Sequence, residues 1–119
     1  MPRHHHVNLA VPTGGLDDEG EFLVSVLGYR RIDPGPDLVA RGANWFEGED
    51  GGQVHLSVDP EHRPAARAHV AVEVGDDAAA IEARLAAAGT AFDVFDRDIH
   101  VLLCRDPAGN RWELRSPLT

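Results

Sequence analysis

The chain has no lysine: all 11 of its basic residues are arginine. That absence rules out Schiff-base lysine chemistry and a lysine anchor for phosphate. A single cysteine, Cys104, excludes an internal disulfide and a thiolate metal cluster. Cys104 is expected to be a small, buried and inert side chain. Basic residues are also few beside the 20 acids, for a net charge of −9 and a pI near 5.0. Such a surface repels phosphate backbones, so nucleic acid is not an expected partner. No apolar run approaches the ~18 residues of a membrane span, and no signal-peptide core is evident. The expectation is a cytoplasmic protein with no membrane partner. What remains is 43% hydrophobic, too apolar for disorder. At 119 residues the chain is expected to bury roughly two thirds of its surface as one domain.

Within that composition lies a repeat. His-Val-Asn-Leu-Ala-Val at 6–11 is matched by His-Val-Ala-Val-Glu-Val at 69–74. Both alternate as half-buried strands do, with Val7, Leu9 and Val11, or Val70, Val72 and Val74, on one face. His6 and His69 therefore open equivalent strands on the polar face. The closing strands match too. QVHLSV at 53–58 turns Gln53, His55 and Ser57 away from Val54, Leu56 and Val58. RWELR at 111–115 turns Arg111, Glu113 and Arg115 away from Trp112 and Leu114. His55 and Glu113 are then equivalent positions, and the chain reads as a duplication.

The first module spans 4–58, a linker 59–66, and the second module 67–117, all within one domain over 1–119. Strands are expected near 4–11, 29–33, 38–47, 53–58, 67–74, 91–95, 98–105 and 111–115. Helices are expected near 17–27 and 77–88, the second capped by Asp76 or Asp77 and each ended by a glycine, Gly28 or Gly89. Asp-Pro-Ala-Gly-Asn at 106–110 is a tight hairpin turn. The fold class is thus α+β, with two tandem βαβββ modules. The face carrying His6, His55, His69 and Glu113 is too polar to be a core and is expected to be wet and concave.

Three imidazoles and one carboxylate at symmetry-equivalent places suit a divalent transition ion: Zn, Ni, Co, Mn or Fe. The competing reading is four solvated or hydrogen-bonded surface residues. Arg41, Arg63, Arg111 and Arg115 are candidate anchors for a substrate's anionic group. Trp45 or Phe46 is a candidate apolar wall, the other being core. His4 shares the face of His6, His5 points away or frays, His62 is in the linker, and His100 falls on strand seven.

HVNLAVP at 6–12, FLVSVLGY at 22–29, WF at 45–46, QVHL at 53–56, AHVAVEV at 68–74 and DPAGNRWEL at 106–114 together resemble the vicinal oxygen chelate superfamily. That superfamily includes glyoxalase I, fosfomycin-resistance transferases, bleomycin-resistance proteins, methylmalonyl-CoA epimerases and extradiol dioxygenases. The resemblance implies an open, curved mixed-sheet barrel, a metal held by His6, His55, His69 and Glu113, and a homodimer acting on a small molecule. It implies chelation of vicinal substrate oxygens and stabilisation of an enolate or alkoxide, with Glu113 as the catalytic base of a lyase- or isomerase-like reaction. The alternative it implies is a drug-sequestering protein of the bleomycin-resistance type, without catalysis. Two departures stand out. Glyoxalase I-like members carry Glu or Gln where this chain has His55, and phosphonate pockets of the fosfomycin type use a lysine that this chain lacks.

Overall fold

The computed structural model describes residues 1–75, 78–98 and 100–116. The chain divides into two compact units, Met1–His62 and Arg63–Thr119. Each contains a four-stranded mixed sheet. Among the described residues, no helix is long and apolar enough to cross a membrane.

The first unit runs β1 (His6–Val11), α1 (Leu16–Ser25), β2 (Arg30–Ile32), α2 (Pro36–Ala40), β3 (Asn44–Glu47) and β4 (Gln53–Val58). The strand order is β1-β4-β3-β2, with β1 and β4 parallel and the other neighbours antiparallel. Val7 pairs with Val54, Leu9 with Leu56, and Phe46 with Val54, so one face is apolar by register. Val11, Phe46, Val54 and Leu56 are buried, together with Phe22, Leu23 and Val26 around α1. Asp17, Asp18 and Glu19 sit in the first turn of α1, where the helix dipole favours negative charge. The helix approaches the sheet closely at Gly20. A methyl there would stand 3.2 Å from the Phe46 ring and 2.6 Å from the Arg31 guanidinium, which itself lies 4.6 Å over that ring.

The strand expected over 38–47 forms only from Asn44. Pro36 sits in the first turn of a short helix instead, with its φ already helical, and the Gly35 N–H donates to Asp33 Oδ1 at 2.8 Å just before it. Leu38 and Val39, apolar letters that imitate a strand, are exposed on that helix.

The second unit runs β5 (His69–Glu73), α3 (Ala78–Ala87), β6 (Phe92–Asp96), β7 (Val101–Arg105) and β8 (Arg111–Arg115). Its order, β5-β8-β7-β6 with β5 and β8 parallel, repeats that of the first unit. Ile81 and Leu85, one turn apart, bury the inner face of α3, and Trp112, Leu114, Leu102 and Cys104 are buried with them. Burial pushes the Cys104 thiol up to about 12, with Asp106 adding to the effect, so it stays protonated and inert. The expected Asp76 or Asp77 cap lies outside the described residues. Strand seven starts at Val101 rather than 98, and His100 precedes it at φ 55. The Asp98 N–H donates to Asp96 Oδ1 at 2.9 Å, which turns the chain and keeps His100 off the strand.

The 106–110 turn is cross-braced. Asp106 Oδ1 accepts the Asn110 N–H at 2.9 Å, and Asp106 Oδ2 accepts the Trp112 indole N–H at 2.8 Å. Arg105 donates to the carbonyls of Ala65, Ala66 and Gly109, tying the segment that enters β5 to this turn. Gly109 has φ +86, and a Cβ would meet Pro64 Cγ at 2.6 Å. Gly109→Ala is expected to lower unfolding free energy by about 1–3 kcal/mol, from left-handed backbone strain and this clash. Urea unfolding at constant m checks it; a loss under ~0.5 kcal/mol would show that the turn relaxes freely.

Candidate functional site

In the first unit, register places the imidazoles. His6 pairs with Gln53, Asn8 with His55, and Trp45 with His55, so His6, His55 and Trp45 share the face opposite the core. The Trp45 ring stacks on His55 at 4.3 Å and 4°, and His6 stacks on the other side at 3.9 Å and 15°. His55 is only 8% exposed, and its Nε2 is 2.8 Å from Gln53 Oε1. Phe46, Trp45's neighbour, is core, which leaves Trp45 on the opposite face. His5 is closer to the site than alternation implies: its Nδ1 is 2.9 Å from His6 Nδ1.

This stack has two consequences. Imidazole donates to a metal in its own plane, so an ion about 2.1 Å from one ring would stand well outside the plane of its neighbour. With centroids 3.9 Å apart and planes 15° from parallel, His6 and His55 do not share an ion as stacked. The second consequence is titration. Burial, then the neighbouring His6 and His5, hold the His55 pKa below its usual value. The folded chain therefore resists a proton that the unfolded chain accepts below about pH 6.5. Stability of the metal-free protein is expected to fall as pH drops below that point, at up to about 1.4 kcal/mol per pH unit from this residue. Chemical denaturation in chelator across pH 5–7 checks it. His55→Gln should flatten the slope, and an unchanged slope would assign the effect to other groups.

In the second unit, His69 pairs with Arg111 and Ala71 with Glu113, the same places in the strand register as His6 with Gln53 and Asn8 with His55. The duplication read from sequence thus holds in the register of the outer strand pairs. His69 Nδ1 lies 3.0 Å from the Arg67 carbonyl. A carbonyl only accepts, so Nδ1 carries the hydrogen, and Nε2 of the neutral ring keeps its lone pair. That Nε2 faces Glu113 Oε1 at 3.8 Å, while Arg115 Nη1 donates to Glu113 Oε2 at 3.5 Å. Two ligands at about 2.1 Å from one ion can stand up to roughly 4.2 Å apart, so the His69–Glu113 spacing fits.

The four expected ligands are therefore two local pairs, His6 with His55 and His69 with Glu113, one in each unit. Among the described residues, no group of three or more His, Cys, Asp or Glu is placed to hold a metal ion. Arg111 and Arg115 flank Glu113 on its face, as expected. Arg41 follows α2 and Arg63 precedes Pro64, both exposed. The second unit also contains a groove of about 1120 Å³, bordered by Arg67, His69, Thr90, Asp93, Arg105 and Arg111, among others. Arg67 was not among the expected anchors. Its signal was its place two residues before His69.

The family model described as "Glyoxalase-like domain" matches residues 7–115. No curated protein matches the chain. Among solved structures, a glyoxalase family protein from Bacillus anthracis is 27% identical, with TM-score 0.82 over 99% of this chain and 97% of that one. A fosfomycin resistance protein, FosX, from Listeria monocytogenes, complexed with Mn(II) and dihydroxypropylphosphonic acid, is 16% identical, with TM-score 0.80 over 99% and 94%. A glyoxalase/dioxygenase from Nostoc punctiforme is 20% identical, with TM-score 0.75 over 98% and 92%.

Proposed function

The chain belongs to the glyoxalase-like domain family of the vicinal oxygen chelate superfamily, and from that premise we propose that it is a divalent-metal-dependent enzyme acting on an oxygen-rich small molecule. The ligand pair in this reading is His69 and Glu113, an imidazole and a carboxylate suited to Mn, Fe, Co, Ni or Zn. The observation that carries it is the His69–Glu113 pair, with the Arg67 carbonyl fixing the tautomer that leaves Nε2 bare. Metal-ligating histidines depend on this kind of outer hydrogen bond. His55 is not a ligand in this reading, because its ring is already engaged between Trp45 and His6.

When bound, the ion would polarise two vicinal substrate oxygens and stabilise negative charge developing on them. Glu113 takes the proton α to a carbonyl and returns it, giving an isomerase- or lyase-like reaction. Arg115 orients that carboxylate. A homodimer is the expected assembly.

Deuterium exchange tests the proposal. The metal-loaded chain in D2O is expected to exchange the hydrogens α to the carbonyl of dihydroxyacetone, with chelator or Glu113→Gln abolishing the excess over buffer. Ligand binding that survives chelator, with no exchange or turnover on any vicinal-oxygen compound, would favour the sequestration role instead.

A further inference from the structure

Four of the arginines near β5 and β8 differ in what they already hold. Arg105 spends both terminal nitrogens on three backbone carbonyls. Arg115 is paired with Glu113, and Arg111 donates to the Arg67 carbonyl at 3.3 Å. The Arg67 guanidinium alone has no hydrogen bond or ion pair among the described residues, and Arg67 borders the same groove as His69. In an acidic chain with no lysine, such an uncommitted cation beside a cavity is a chemical preference rather than background charge.

We propose that Arg67, supported by Arg111, anchors a second anionic group of the substrate, a carboxylate or phosphate, in the groove beside His69. This rests on the reading of His69 as a metal ligand and narrows it: the substrate carries vicinal oxygens at one end and a negative group at the other. Arg67 lies in the bend just before β5, and residues two apart are at most about 7 Å apart, so the anion belongs on a short carbon chain. The groove is graded in charge. Arg111 is on β8, next to His69 on β5, whereas Asp93 is on β6, three strands from β5 and thus roughly 14 Å away. Asp106, the other carboxylate of the lining, is already held by the Asn110 N–H and the Trp112 indole, so an anion is drawn to the β5 end and repelled from Asp93. Guanidinium matches either anion with two parallel hydrogen bonds, which a lone backbone N–H does not.

The test uses the Mn(II)-loaded chain and three probes that share an α-hydroxy acid: lactate, malate, which adds a carboxylate, and 3-phosphoglycerate, which adds a phosphate. At least one of the latter two is expected to bind tenfold or more tightly than lactate, and which one does distinguishes the anion. Arg67→Ala should remove that advantage while lactate binding changes less than twofold. Arg97→Ala, which deletes the same charge outside the groove, should leave the advantage intact. Equal affinities for all three probes, or an advantage that survives Arg67→Ala, would overturn the assignment. Inorganic phosphate titrated into the metal-free chain separates the two readings. Phosphate affinity lost in Arg67→Ala while no metal binds would sink the enzyme reading and keep the groove; metal and lactate binding with no Arg67 effect would do the reverse.

Discussion

His69→Ala is expected to weaken divalent-ion affinity by at least about 100-fold, beyond the 10–100-fold typical of losing an outer-shell partner alone. The reason is local. The His69 ring turns a bare nitrogen to a carboxylate within ligand spacing while its other nitrogen is occupied by a carbonyl. Its side chain is 38% exposed, so its removal should change folding stability by no more than about 0.5 kcal/mol. Titration calorimetry with Mn(II) and Zn(II), paired with urea unfolding, separates the two effects. His55→Gln makes the contrast: it disturbs a buried stack yet is expected to leave ion affinity within tenfold. If the two variants exchanged these behaviours, His55 would be the ligand and the stack would have to open on binding.

The largest stability effect is expected at Trp112, on the opposite face of β8 from that chemistry. Trp112 is fully buried, and its indole N–H satisfies Asp106 inside the second unit. Trp112→Ala removes the largest core side chain, a loss of roughly 3–5 kcal/mol. It also leaves a buried carboxylate oxygen without its donor, adding about 1–3 kcal/mol. Together these approach the whole stability of many domains, roughly 5–15 kcal/mol. Trp112→Phe keeps most of the ring volume and loses the hydrogen bond, so it should fall between the wild type and Trp112→Ala. Urea unfolding of the three proteins checks the order. Equal stabilities for Phe and Ala would mean that the Asp106 contact, not the packing, dominates.

The duplication was legible because strand periodicity is a local property. Val7 and Leu9 alternate with His6 and Asn8 whatever surrounds them, and Val70 and Val72 are flanked by His69 and Glu73, which places His6 and His69 on their faces. Closing-strand equivalence followed from the same rule and is met in the pairing of Asn8 with His55 and Ala71 with Glu113. Helix α2 was not legible. Leu38 and Val39 look like strand residues, and only the Pro36 backbone constraint and the Asp33 turn reveal otherwise. The stack of Trp45, His55 and His6 was hidden for a different reason. It depends on the β3–β4 register, set by a hairpin in which Gly48 N–H donates to the Gly52 carbonyl, and a slip of one residue would have turned Trp45 to the core. The tautomer of His69 depends on a backbone carbonyl, a group that every residue except its position leaves indistinguishable in the sequence.

Metal content measured on untagged protein bears most directly on all of this. After incubation with Mn(II), Zn(II), Ni(II) or Co(II) and removal of free ion, the chain is expected to retain one equivalent of at least one of them. His69→Ala and Glu113→Gln should each lose it, and His55→Gln should keep it. A wild-type chain that retains none, or His69→Ala and Glu113→Gln variants that hold as much as the wild type, would contradict the assignment of this pair to a metal centre.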